Sequence, residues 1–447
     1  MKARLDFTAP EWEALNAHLL QDELEQAAYC LAEPVRDGDS LRLLVREVIV
    51  VPPDRLIRQS SSYLETDPVF LAPILKRARY GRYALVIAHS HPFSRGSVGF
   101  SSIDDGGEAE LIPKVQARAP ELPHAALVVA HSAAAARVYQ PDWPDAVGAT
   151  VRVIGMPVVD LGPRGHITPA GASEPRFNRQ VLVWGEDVQR RLGELCVGVV
   201  GNGGTGSHVS QQLLHLGVGS TYVVDSDVLD ETSLNRVVGA SAADLANETA
   251  KVEIARRTAA ALDREAHVEG AARSALEQEV ALELARCDVI VGCTDNLASR
   301  RLLNRLALQY YVPLIDVGID LERADDGTLR AAAGRVTLVL PDGPCLHRAG
   351  VLVGDEVPPG YVTDDPRPAV IAFNGVVASL GVATLLALVG AYPLQAARQV
   401  FYRPLDARLQ HDNVTGMCVD CAEIRGVGAS RPLPWDYDAV QAAGDAA

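Results

Sequence analysis

The stretch VGVVGNGGTGSHVSQQLLHLGVGSTYVVDSDVLDETSLNR, Val197 to Arg236, decides how the chain is read. Its first four residues are a valine-rich apolar run, the composition of a strand buried in a parallel sheet. The run breaks into the turn Gly201-Asn202-Gly203-Gly204-Thr205-Gly206 and then into a helical pattern from about Ser207. A second strand, Thr221 to Val224, ends on Asp225, 19 positions after Gly206. Strand, glycine turn, helix, strand and acid make a nucleotide-binding βαβ unit. The glycines let the backbone approach a phosphate, and the helix N-terminus offers unpaired N–H groups and a positive dipole end.

Downstream, the pattern predicts a helix around Ala250 to Leu262, a strand in DVIVGCTDN, a helix from Ala298 to Gln309 and a strand in VPLIDVG. That alternation supports a mainly parallel, doubly wound sheet. Upstream, helical spacing covers Pro10 to Glu25, and Gln26 to Ala32 and Leu41 to Val51 read as strands joined by the turn RDGDS. A helix at Pro68 to Arg79, the strand YALVIA, a helix at Ser102 to Arg118, and strands at Ala125 to Ala130 and Ala136 to Tyr139 complete a compact α/β domain. The chain therefore divides into a first domain at 1–156, a Gly/Pro-rich linker at 157–175, a nucleotide domain at 176–428 and a loosely held tail at 429–447.

Bulk properties narrow the partners. With 447 residues there is length for two or three domains. A formal net charge of −16 argues against nucleic acid or an anionic membrane as the main partner. Seven cysteines, an odd number, and an N-terminus without an apolar signal core point to a reducing cytoplasm, with thiols available for metal or chemistry. Ala369 to Leu388 is apolar and long enough to span a bilayer. Asn374, Ser379 and Thr384 interrupt it and no Lys/Arg cluster flanks it closely, so it reads as a helix buried on all sides, in a core or a subunit interface.

Two constellations carry chemistry. In the first domain a strand runs into His89-Ser90-His91-Pro92, with Ser101 and Asp104 following in FSSIDD. Residues two apart in a strand face one side, so both imidazoles can reach one ion. Two His and one carboxylate leave a fourth zinc position for water, the pattern of a hydrolytic site. The segment resembles the JAB/MPN metalloprotease family, which removes ubiquitin or ubiquitin-like proteins. By that resemblance His89, His91 and Asp104 ligate zinc, Ser101 stabilises the oxyanion, and an upstream glutamate is general acid/base toward the attacking water. Glu25 fits that glutamate, with Glu47 as the alternative. The gap between His91 and Ser101 is two residues longer than the family's usual pattern, which a loop can absorb.

Around the glycine turn stand Arg176-Phe177-Asn178-Arg179-Gln180, Asp225-Ser226-Asp227, Ser233-Leu234-Asn235-Arg236, Lys251 and Cys293-Thr294-Asp295-Asn296. In that order they resemble the ThiF/MoeB family and the adenylation domain of ubiquitin-activating enzymes, over roughly Glu174 to Ala422. The resemblance implies a Rossmann-like adenylation domain in which a carrier's C-terminal carboxylate attacks the α-phosphate of ATP. It implies that the turn glycines Gly201, Gly203, Gly204 and Gly206 approach the nucleotide. Asp225 binds the ribose hydroxyls with Asp227 beside it, Arg236 and Lys251 hold phosphates, and Asp295 coordinates Mg²⁺. Ser233 stands where the family usually has Asn, and reaches phosphate only through water. Arg179 reaches the nucleotide of the other subunit, which implies a twofold homodimer. The family's zinc pairs are incomplete: Cys418 and Cys421 are present, but Cys345-Leu346-His347-Arg348 has Arg348 where a second cysteine belongs. Either His347 substitutes as ligand or this structural zinc is lost. Arg348 to Phe373, where the family's crossover loop falls, contains no cysteine, so adenylation is supported and thioester transfer is not.

The main expectation is a two-headed enzyme needing ATP, Mg²⁺ and Zn²⁺. It trims or releases a ubiquitin-like protein, then adenylates the exposed C-terminus, with a conjugating enzyme as a further partner. Bacterial ubiquitin-like operons of antiviral defence are a setting offered by resemblance. The alternatives are sulfur-carrier activation of the thiamine or molybdopterin type, an NAD-dependent dehydrogenase, disfavoured by Arg236 and Lys251, and a silent scaffold that binds a ubiquitin-like protein.

Overall fold

A computed structural model describes residues 2–141, 143, 145–163, 165–166, 174–264, 267–353, 368–394 and 398–433. Parts of three expected features lie outside those residues: the linker, the crossover loop and the tail. The chain divides into two compact units, Met1–Thr168 with Arg425–Pro432, and Pro169–Ile424 with Leu433–Ala447.

Unit 1 is built on the strands β1 (Lys2–Thr8), β2 (Ala27–Asp37), β3 (Ser40–Val50), β4 (Leu56–Gln59), β5 (Leu64–Thr66), β6 (Ala84–Ser90), β7 (His124–Val129), β8 (Ala134–Tyr139), β9 (Val147–Ile154), β10 (Val159–Gly162) and β11 (Gly165–His166). Its helices are α1 (Ala9–Leu19), α2 (Pro68–Gly81) and α3 (Ser102–Arg118). The large sheet runs β1-β3-β2-β6-β7-β8-β9-β10-β11, and β1 also pairs with β9, so the sheet closes on itself. One face packs Leu5, Phe7, Leu43, Val86, Leu127 and Val138 against Leu15 and Leu19 of α1. The other packs Tyr29, Leu31 and Leu85 against Leu71, Ile74 and Leu75 of α2.

Around unit 1 the structure corrects the sequence reading at four places. The first helix stops at Leu19 instead of Glu25. Asp22 accepts the Leu24 N–H at 2.8 Å, a local side-chain turn that competes with helix continuation. Strand β1 carries a fully buried Asp6, which hid it from a hydrophobicity pattern. Burial raises the Asp6 carboxyl, but Arg4, Arg42 and Arg152 prevail and hold it at about 2. Val159–Gly162, expected in the linker, is a sheet strand paired with β9. Finally, Arg425–Pro432 returns to unit 1, so the second domain does not run through residue 428. There Arg425 bonds Glu11 at 2.5 Å.

Unit 2 continues with β12 (Cys196–Val200), β13 (Ser220–Val224), β14 (Val268–Ala271), β15 (Val289–Gly292), β16 (Leu314–Arg323), β17 (Leu329–Val339), β18 (Gln399–Arg403) and β19 (Arg408–Asp412). Its helices are α4 (Asn178–Glu194), α5 (Gly204–Leu216), α6 (Ala242–Ala246), α7 (Lys251–Ala261), α8 (Gln278–Leu284), α9 (Leu297–Gln309), α10 (Ile371–Leu388) and α11 (Val419–Glu423). The sheet order is β14-β13-β12-β15-β16-β17-β18-β19. The first five strands are parallel and the last three antiparallel. Parallel strands that reverse order at β12/β15 make a Rossmann-like switch point, with a crevice beyond their carboxyl ends. Helix α10 is long and apolar enough to cross a membrane, and half of it is buried here. Its Val377, Gly381, Leu385 and Leu388 are buried, whereas Ile371 and Val376 are exposed, so one face is covered and not all sides.

Candidate functional site

The glycine turn begins where β12 ends. Gly201 has φ +86° and donates its N–H to Val224 O at 2.8 Å. A Cβ at Gly206 would overlap the Gly201 carbonyl oxygen, so only glycine lets α5 start so close to the strand. Asp225, at the carboxyl end of β13, is 9% exposed. It accepts the Asn202 N–H at 2.6 Å and the Asp227 N–H at 2.9 Å. Burial raises its carboxyl, against the pull of Lys251 and the two backbone donors. Lys251 opens α7, is buried, and places Nζ 2.6 Å from Asp227 Oδ2.

Asn202 is a residue that motif reading passed over. It is 1% exposed, and its Nδ2 donates to Lys251 O at 2.8 Å while its Oδ1 accepts from the Ser210 hydroxyl at 2.9 Å. Its carboxamide thus ties the turn to the α7 N-terminus and to α5, while its backbone N–H holds Asp225. A polar residue between the glycines of a turn flanked by buried strands was the available signal. Ser233 is buried; its N–H donates to Asp230 Oδ1 at 2.7 Å, and its hydroxyl accepts from Arg236 Nη2 at 3.5 Å. Arg236 also bonds Thr232 O. Asp295 is exposed just beyond β15, and its neighbour Asn296 caps α9 by accepting from Ala298 N at 2.8 Å. The Cys293 carbonyl before it lies against Gly201, 3.0 Å from where a Cβ would be. Turn, acids, lysine and the 293–296 loop therefore gather at the carboxyl ends of β12, β13 and β15. Arg179, near the start of α4, is exposed.

The unit 2 thiols Cys345, Cys418 and Cys421 converge, their sulfurs within 4.8 Å of one another. His347 is not in that group, so the structure does not bring it in as the fourth ligand. Cys345 and Cys418 Sγ are 3.8 Å apart. Two thiolates on one tetrahedral zinc would be about 3.8 Å apart. The Cys345 thiol is lowered, chiefly by a hydrogen bond from Cys421 and against burial. Three sulfurs fit zinc, with the fourth position left to a group outside this set. Cys30 and Cys287 are buried, while Cys196 and Cys293 are half-buried.

In unit 1, β6 ends on His89 and Ser90, and α3 begins after the cap Ser101. His89 Nε2 lies 3.1 Å from Asp104 Oδ1, His91 Nε2 lies 3.4 Å from Asp104 Oδ2, and the two Nε2 atoms are 3.3 Å apart. Ligand atoms about 2.0–2.1 Å from a tetrahedral zinc would be separated by about 3.3 Å, so these residues fit one ion. Burial raises the Asp104 carboxyl, but hydrogen bonds from both imidazoles outweigh it and hold it far below the usual range. Glu25 is 4% exposed with Oε1 3.7 Å from His91 Nε2, and burial raises its carboxyl. Glu47 pairs with Arg77 on the surface instead, at 3.1 Å. Ser101 is exposed, and its Oγ accepts the Asp104 N–H at 3.2 Å while Asp104 accepts the Ser101 N–H at 2.6 Å. This capping box points Asp104 at the histidines and leaves the serine hydroxyl its proton to donate.

Comparison with known proteins places unit 2. The profile of the ThiF family matches residues 177–419, more than half the chain. The chain is 31% identical over 191 residues to the SAMP-activating enzyme E1 of Haloferax volcanii, spanning 42% of this chain and 65% of that protein. It is 28% identical over 231 residues to the molybdopterin-synthase adenylyltransferase of Escherichia coli, across 50% of this chain and 86% of that one. To the sulfur carrier protein adenylyltransferase of Thermus thermophilus it is 33% identical over 237 residues, covering 52% and 84% respectively. Through its C-terminal part the chain belongs to the ThiF family, as a MoeB/ThiF-like adenylyltransferase.

Proposed function

We propose that unit 2 adenylates the C-terminal carboxylate of a small ubiquitin-fold carrier protein of the sulfur-carrier kind, using ATP and Mg²⁺. The carboxylate oxygen bonds the α-phosphorus, the α–β bridging bond breaks, and pyrophosphate leaves with that electron pair. Asp225 holds the ribose hydroxyls, and the turn amides from Gly203 to Gly206 face the phosphates. Arg236 and Lys251, released from Asp227, offset charge developing on the leaving pyrophosphate. Asp295, exposed beside the turn, holds Mg²⁺. Arg179 serves the nucleotide of the opposite protomer in a twofold homodimer. The observation carrying this reading is the gathering of turn, Asp225, Lys251 and Asp295 at one edge of the sheet. The test is ATP–pyrophosphate exchange with ubiquitin-fold carriers encoded near the gene. Absence of exchange with every carrier, with Lys251→Ala indistinguishable from the parent, sinks it.

A second activity is favoured by the spacing of His89, His91 and Asp104. We read unit 1 as a JAB/MPN-type zinc peptidase that trims a carrier precursor or releases the carrier from a target. Zinc held by these three residues supplies Lewis acidity and lowers the pKa of water at the site. Glu25, buried against His91, takes the proton of the attacking water and delivers it to the departing amine. The Ser101 hydroxyl donates to the oxygen of the tetrahedral intermediate. Trimming generates the carboxylate that adenylation consumes, which accounts for both units on one chain.

A further inference from the structure

We propose that Arg137 is the positioning residue that holds Asp104 in place as a zinc ligand. The proposal rests on the peptidase reading of unit 1. His89 belongs to β6, which is paired on both sides, with β2 and β7. His91 is 5% exposed and donates its backbone N–H to Val129 O at 2.9 Å. Asp104 has the Ser101 capping box but no strand pairing to support it. It sits in the first turn of α3, where Ser101, Ser102 and Ile103 are exposed. The buried residues of α3 are Ile112 and Val115, both in its second half. Directly after the ligand Asp104 and its neighbour Asp105 come Gly106 and Gly107, with open space around both. Each glycine weakens a helix about fivefold relative to alanine, so the turn carrying Asp104 is intrinsically loose.

Arg137, on β8, closes this gap from three sides. Its Nε donates to Glu108 at 2.7 Å and its Nη2 to Asp105 at 2.8 Å. Its guanidinium lies 3.9 Å over the ring of Phe100, the residue before the cap. Tyr139, on the same strand, adds a bond to Glu108. One planar group thus grips the chain immediately before the cap, immediately after Asp104, and one turn further on. Lysine cannot reproduce that fork and stack. Groups that orient metal ligands from behind typically govern affinity by about 10–100-fold.

The experiment measures zinc affinity of the full chain by competition with a chromophoric chelator, assigning the unit 1 site by its loss in His89→Ala. Arg137→Lys and Arg137→Ala are expected to weaken that site about 10–100-fold. Glu108→Gln weakens it less, and Asp105→Asn least. The visible spectrum of the cobalt-substituted site shifts, and the thermal midpoint of the zinc-free protein stays near that of the parent. Gly107→Ala, which stiffens the turn, restores part of the affinity in the Arg137→Lys background. If Arg137→Ala unfolds unit 1, Glu108→Gln carries the same test. Zinc binding by Arg137→Lys within twofold of the parent overturns the proposal, as does failure of Gly107→Ala to restore any affinity. A parent protein with no His89-dependent zinc overturns the peptidase reading instead.

Discussion

The two sites are prepared for their ligands in opposite ways. In unit 1, the two imidazole Nε2 atoms stand 3.3 Å apart and each lies 3.1–3.4 Å from an oxygen of Asp104, the spacing an ion would set, with a buried glutamate beside them. In unit 2 the groups assigned to ATP satisfy one another: Lys251 is engaged by Asp227, and Asp225 by two backbone amides. A compact cation needs ligands converged in advance, because its bonds are short and directional. A nucleotide is large and brings its own charges, so its partners can wait in internal pairs that the ligand exchanges. The first site should be sensitive to one misplaced side chain, and the second to loss of charge.

The largest expected effect separates the two sites. Asp104→Ala should abolish peptide hydrolysis and remove the unit 1 zinc while leaving pyrophosphate exchange on a mature carrier within twofold. Lys251→Ala should do the reverse, lowering exchange by about 10²–10³-fold with zinc retained. Metal analysis and the exchange assay on both variants check this, and either variant damaging both activities breaks the comparison. Next in size is Gly206→Ala, whose methyl would overlap the Gly201 carbonyl. It should cost roughly 1–3 kcal/mol, read as a lowered unfolding midpoint of unit 2 together with weakened ATP binding. Cys421→Ser should then remove zinc from the unit 2 thiols and lower the midpoint of that unit, without touching hydrolysis.

The smallest effect concerns pH. Burial pushes the Glu33 carboxyl from its ordinary 4.5 up to about 7, against Arg46, a hydrogen bond with Ser430, and Arg82. Folded unit 1 therefore binds more protons than the unfolded chain between those values, and its stability falls as pH rises from 4.5 through about 7. Glu33→Gln should flatten that fall, which is on the order of 1 kcal/mol once partial solvent screening is allowed for. Denaturation midpoints at pH 5 and pH 8 (chosen at roughly either end of that window) decide it.

Much of this was legible in the residues. Valine runs and glycines announced the parallel half of the unit 2 sheet, because buried strands and tight turns leave little compositional choice. The antiparallel β17 to β19 escaped notice: LRAAAGRVTLV and RLQHD mix charge with small residues along strands that are partly exposed. The i, i+2 spacing put His89 and His91 on one strand face, and the resemblance to the JAB/MPN family added Asp104. Asn202 and Arg137 were not named, because each acts through partners far away in sequence: Lys251 for one, Asp105 and Glu108 for the other. Strand β1 was missed for a related reason, since Asp6 is tolerated in the core only because Arg4 and Arg42 meet it there. Patterns report what a residue prefers locally, and buried ion pairs are settled by the fold.

The most direct test of the central claim, that one chain trims and then activates the same C-terminus, is a single exchange measurement on two substrates. Pyrophosphate exchange by Asp104→Ala is followed with a carrier ending at its mature C-terminus and with the same carrier bearing a C-terminal extension. Parent-like exchange on the mature form and none on the extended form, which the parent protein activates after trimming, is the expected result. Equal exchange by Asp104→Ala on both forms would contradict it.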